Sequence, residues 1–118
     1  MNKKIRWIVS ASITCLILLG LSCQDTKNPT VSITEPADGA EVADQVTISA
    51  QAEDNKGIAI LDFYVDDSQI GDDGESPYEY TWDATAEVPG SAHAIFVVAY
   101  DDAGNEAWDS ISVTVAQE

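Results

Sequence analysis

From about residue 30 onward the chain is a train of short stretches with an apolar residue at every second position, and that period leaves little choice of fold. Gln45–Glu53 is the clearest case. Val46, Ile48, Ala50 and Ala52 share one side, and Thr47, Ser49, Gln51 and Glu53 share the other. Side chains alternate across a β-strand, so such a stretch buries one face and wets the other. Val31–Thr34, Ala59–Asp66, Ser68–Gly71, Tyr78–Asp83, Ala92–Asp101 and Trp108–Val115 read as further strands. Between them Pro36–Gly39, Asp54–Gly57, Asp72–Ser76, Val88–Ser91 and Asp102–Asn105 collect the Asp, Asn, Gly and Pro residues that make turns. No helical period appears after the N-terminal run. Seven short strands with regular turn signals predict an all-β fold, a two-layer β-sandwich. No internal repeat is long enough to make a second domain.

The N-terminus has a different character. Lys3, Lys4 and Arg6 precede sixteen uncharged, mostly apolar residues, Trp7 to Ser22, and polar sequence resumes after Cys23. A basic segment, an apolar segment and a small residue before the break are the three parts of a secretory signal peptide. The run is short of the roughly 20 apolar residues that a membrane-spanning helix needs. Leu19-Gly20-Leu21-Ser22-Cys23 resembles the lipobox of bacterial lipoproteins, with Gly20 where that pattern prefers leucine. The resemblance implies cleavage before Cys23 and diacylation of its thiol. Gln24, where an aspartate would imply inner-membrane retention, points to the outer membrane of a bacterial cell envelope. The alternative is ordinary cleavage nearby, giving a soluble secreted protein. The expected organisation is a signal-peptide helix at 1–22, a lipidated Cys23 with a short tether at 23–29, and one domain at 30–118.

Removal of residues 1–22 makes the rest more acidic. The remaining 96 residues keep Lys27 and Lys56 against 21 acids, a net charge of −19. Such a surface repels nucleic acid and anionic headgroups and attracts cations and basic partners. Cys15 leaves with the signal, so no intrachain disulfide is available and stability has to come from apolar packing.

Four segments carry a family resemblance: Pro29-Thr-Val-Ser-Ile-Thr-Glu-Pro-Ala-Asp-Gly39, Asp62-Phe-Tyr-Val-Asp66, Pro77-Tyr-Glu-Tyr-Thr-Trp-Asp83 and Ala99-Tyr-Asp-Asp-Ala-Gly-Asn105. In order and spacing they resemble a bacterial Ig-like domain family from Pro29 to about Ala116. The resemblance implies a seven-stranded Ig-like sandwich that serves as a spacer or binding module, with no catalytic residue in its pattern.

Candidate sites follow. His93 is the only histidine and lies within a strand, and no nucleophile, base and orienting group can be assembled from the sequence, so no enzyme is expected. Ca²⁺ is the candidate cofactor. Ala52–Gly57 and Ala99–Gly104 read alike, and in an Ig-like sandwich both loops fall at one end, where Asp54, Asn55, Asp101 and Asp102 could converge as oxygen ligands, with Glu53 and Asp109 near. The competing reading is that these residues bond their own turns. A third candidate is a surface. Ala92–Asp101 is apolar on both sides, and only one side can face the core. His93, Ile95, Val97 and Ala99 are expected inward. Phe96, Val98 and Tyr100 are then expected outward with Ile60, Tyr64 and Trp108, as an interaction surface for an unknown protein or glycan partner. Tyr78, Tyr80 and Trp82 are expected in the core.

Overall fold

The computed structural model describes residues 27–117. The signal segment, Cys23 and most of the tether lie outside them. Eight strands follow one another: β1 (Thr30–Glu35), β2 (Glu41–Val42), β3 (Gln45–Glu53), β4 (Ile58–Val65), β5 (Ser68–Asp73), β6 (Tyr78–Asp83), β7 (Ala92–Asp101) and β8 (Glu106–Val115). They form a three-stranded sheet in the order β1-β3-β6 and a five-stranded sheet in the order β2-β8-β7-β4-β5. All pairings are antiparallel except β2 with β8.

Three strands and their bounds, β3, β6 and β7, match the sequence expectation. The eighth strand, β2, was not expected. It is two residues long, too short to show a period, and it forms where the chain crosses from one sheet to the other. There the Gly39 amide donates to Ser112 O (2.7 Å), Thr114 N–H to Ala40 O (3.0 Å) and Ala116 N–H to Val42 O (2.8 Å). β5 runs on to Asp73, although Asp72-Asp73-Gly74 reads as loop. An edge strand tolerates charge because one of its sides is unpaired, and Asp72 pairs opposite Asp62 there.

The two sheets meet through their apolar rows. Ile48, Leu61, Phe63, Ile95, Val97 and Val113 are the largest fully buried side chains. Val46, Ala50, Tyr78 and Trp82 join them from the smaller sheet, and Tyr80 packs against this cluster. Residues 27–117 contain no cysteine, so this packing carries the sandwich without a covalent link. Both open sides are tied. On one, the Ile33 amide of β1 donates to Asp109 Oδ2 of β8 (2.8 Å). On the other, the Glu79 amide of β6 donates to Asp73 Oδ2 of β5 (3.0 Å). β5 can approach this closely because Gly71 faces the Tyr80 ring, where a Cβ would lie 2.2 Å from Cε1.

Phe63 lies at 0% exposure and its ring centroid is 6.0 Å from that of Tyr80. Phe63→Ala is expected to cost about 3–5 kcal/mol, checked by urea unfolding with the midpoint falling.

Candidate functional site

The outer faces of the two sheets differ in chemistry. On the three-stranded sheet the cross-strand partners are Ser32 with Gln51, Thr47 with Thr81, and Ser49 with Glu79. That is an ordinary wet face. On the five-stranded sheet the partners are Tyr64 with Phe96, Ile60 with Tyr100, and Val98 with Trp108. The Phe96 and Trp108 rings stack with centroids 5.0 Å apart and planes 26° apart. Tyr64 meets Phe96 edge-on at 6.0 Å and 77°. All six residues expected on an outer apolar surface therefore lie on one face. Val98 is 6% exposed and supports that face from below, whereas Trp108 is 61% exposed and forms its crest.

Carboxylates stand among these rings. Asp62 sits beside Val98 in the lateral row that leads to Trp108, with Asp72 across from it on β5. Glu106 faces Tyr100 across β7 and β8. Burial and then the neighbouring Asp72 charge hold the Asp62 carboxyl above the usual carboxylate range. Burial, followed by the charge of Glu106, raises the Tyr100 phenol. The face thus offers stacking area beside negative charge.

The two acidic loops do fall at one end of the sandwich, since Ile58 pairs with Asp101. Each bonds its own turn. Asp101, 3% exposed, accepts Ala103 N–H and Asn105 N–H at Oδ1 (2.9 Å each) and Asn105 Nδ2 at Oδ2 (3.0 Å). Asp54 Oδ2 accepts the Lys56 amide (2.9 Å), and Gly57 and Gly104 take φ of +96° and +88° to close the turns. Asp102 and Asn55 are exposed. Asp109 is directed to Ile33, away from any loop role. Among the described residues no three His, Cys, Asp or Glu side chains gather as metal ligands. One oxygen stands apart: Asp54 Oδ1 is buried with no hydrogen-bond partner. A hollow of about 310 Å³ lined by Lys27, Asn28, Thr30, Glu53, Asp54 and Asn55 lies at this end.

His93 has partners that the sequence did not reveal. Its ring is 9% exposed and meets Trp82 edge-on at 5.5 Å. Nδ1 lies 2.5 Å from Asp66 Oδ2 and Nε2 lies 2.7 Å from Ser91 Oγ, with Glu87 Oε1 at 3.6 Å. Ser91, His93 and Asp66 stand in the order of nucleophile, base and orienting carboxylate. The hydroxyl is turned the wrong way for attack, because Ser91 Oγ donates to Val88 O (2.6 Å) and so accepts from the ring. Ser91 N–H donates to the same carbonyl. The constellation ties the β4–β5 and β6–β7 turns to β7. Only the i, i+2 spacing of Ser91 and His93 hinted at it; Asp66 is 27 residues from His93 in sequence.

Two face-to-face sheets with these crossings define an immunoglobulin-like sandwich module. The chain belongs to the bacterial Ig domain family, which matches residues 29–97. It is 39% identical to the fibronectin(III)-like modules of CbhA from Clostridium thermocellum, at a TM-score of 0.65 over 75% of this chain and 98% of that one. The endo-β-1,4-mannanase of Thermotoga petrophila shares the fold at 18% identity and a TM-score of 0.64, over 92% of this chain and 32% of the mannanase. No curated protein matches significantly.

The His93 tie gives a pH dependence. Burial of Asp66 opposes ionisation, but hydrogen bonds from His93 and the Ala94 amide and the charge on His93 outweigh it, so the Asp66 carboxyl lies below its ordinary value. A depressed carboxyl stabilises the fold above its unfolded value, about 3.9, and that contribution disappears as pH falls through the lower folded value. Asp66→Asn is therefore expected to melt below the parent at pH 7, with the gap closing toward pH 2. Thermal melts across that range check it.

Proposed function

We propose that this chain is a non-catalytic binding or spacer module of the bacterial cell envelope, anchored by lipid at Cys23, which contacts a protein or glycan through the outer face of the five-stranded sheet. One observation carries the reading: the two outer faces of the same sandwich are unequal, Ser, Thr, Gln and Glu on one and Ile60, Tyr64, Phe96, Tyr100 and Trp108 on the other. The stacked Phe96–Trp108 pair supports the sheet itself, but an indole left 61% exposed beside Ile60, Tyr64 and Tyr100 also makes an apolar patch of the kind that marks interaction sites. The basic and apolar N-terminal segments and the Leu19–Cys23 pattern support export and the lipid anchor, and Gln24 supports the outer membrane. Two or more acyl chains are needed for stable attachment, as diacylation supplies. Membership of the bacterial Ig family supports a modular, non-catalytic role.

Capture from native envelopes tests the proposal. Phe96→Asp is expected to fold and lose the partners that the parent retains, while Thr47→Asp on the opposite face keeps them. Retention of every partner by folded Phe96→Asp would defeat the binding face. Cys23→Ser is expected to move the chain from the membrane to the soluble fraction.

A second reading, a Ca²⁺-stabilised structural module, is favoured by the unpartnered Asp54 Oδ1 at the loop end. It expects millimolar Ca²⁺ to raise the melting temperature, and Asp54→Asn to abolish the rise. No shift with Ca²⁺ in the parent sinks it.

A further inference from the structure

We infer that the outer face of the five-stranded sheet takes a cationic partner, a lysine- or arginine-rich protein segment laid over the Phe96–Trp108 ridge with its charged heads against Asp62, Asp72 and Glu106. The inference rests on the binding reading above and narrows it to one ligand chemistry.

Three features of the face lead there. The first is the placement of rings and charges. Asp72, Asp62, Val98 and Trp108 form one row across β5, β4, β7 and β8, and Ile60, Tyr100 and Glu106 form the next. Ring and carboxylate therefore stand one strand apart, about 4.8 Å, at Tyr100 and Glu106, and two strands apart, with Val98 between them, at Trp108 and Asp62. A lysine or arginine side chain has the matching form, an apolar stem for the ring and a cationic head for the carboxylate or the ring face.

The second feature is a like-charge pair on the face. None of the residues in these two rows is basic. Asp62 and Asp72 sit directly opposite each other, a like-charge pair that destabilises a sheet unless something answers it. Burial first, and the Asp72 charge second, raise the Asp62 carboxyl above its ordinary value. An incoming cation relieves the like-charge repulsion.

The third feature concerns the alternatives. A neutral sugar can stack on Trp108 but leaves the like-charge pair, and the partly desolvated Asp62, without a cation. A nucleic acid or an anionic lipid surface is repelled by the same groups. Arginine best fits the geometry, since its planar head both stacks and forks to a carboxylate.

The test uses the full-length chain in mild detergent with two probes, a short peptide of alternating arginine and glycine and the neutral sugar β-1,4-mannohexaose. Binding is followed by anisotropy of the labelled probe and by the NMR signal of the Trp108 indole. The peptide is expected to shift that indole and to weaken with salt. Trp108→Ala and the pair Asp62→Asn/Asp72→Asn are each expected to weaken it roughly tenfold. The Asn pair removes a repulsion, so it is expected to melt no lower than the parent. Glu53→Gln/Glu79→Gln on the opposite sheet removes the same charge and is expected to change affinity less than about twofold. Equal losses in the two charge pairs would mean that only net acidity attracts the peptide, and the inference falls. Mannohexaose binding at Trp108 without peptide binding also overturns it, but leaves the binding face standing. If neither probe moves the indole, the cationic partner is ruled out, and the envelope capture with Phe96→Asp decides the face separately.

Discussion

One strand constrains the rest of the molecule. β7 is central in the five-stranded sheet, hydrogen-bonded to β4 on one side and β8 on the other, and it is apolar on both faces. Its inner row, Ile95, Val97 and Ala99, is fully buried and meets Ile48 and Phe63 in the core. Its outer row, Phe96, Val98 and Tyr100, cannot enter that core without turning the inner row out, because the strand period is two. The outer apolar surface thus follows from the register that builds the core. Fixing one fixes the other.

Much of this was legible beforehand. The alternation in Gln45–Glu53 and the turn residues between runs gave the sandwich, and the inward parity of Ile95, Val97 and Ala99 gave the outer set in full. Family membership and fold agree with the resemblance read from Pro29–Gly39 and the three later segments. The misses have physical causes. β2 is too short for a period. Asp72 reads as turn because it precedes Asp73-Gly74, yet at a sheet edge its charge is tolerated. Asp101 reads as a candidate Ca²⁺ ligand because its oxygens are hard donors; the turn bonding, the competing expectation, is seen in the three hydrogen bonds the chain supplies to them, and the Ca²⁺ titration tests the ligand reading. The His93 constellation joins two turns distant in sequence to β7, and no local pattern encodes that meeting.

Charge is distributed in keeping with a disulfide-free sandwich. The buried Asp101 accepts backbone amides, Asp109 and Asp73 bridge the sheets by accepting amides, and Asp54 keeps one buried oxygen without a hydrogen-bond partner. Most of the other carboxylates stand at the surface, where water carries their cost. Asp62 and Asp72 are the exception in kind: they stand directly opposite each other across β4 and β5, and Asp62 lies in the row that leads through Val98 to Trp108. Their position on the aromatic face, and not elsewhere, joins the electrostatics of the chain to its proposed task.

The central claim is that this face, and not the opposite one, meets a partner in the envelope. A photoreactive residue placed at Trp108, compared with one at Thr47, tests it in intact cells. The account predicts a discrete crosslinked adduct from position 108 and none from position 47. Adducts of equal yield from both positions, or from position 47 alone, would contradict it.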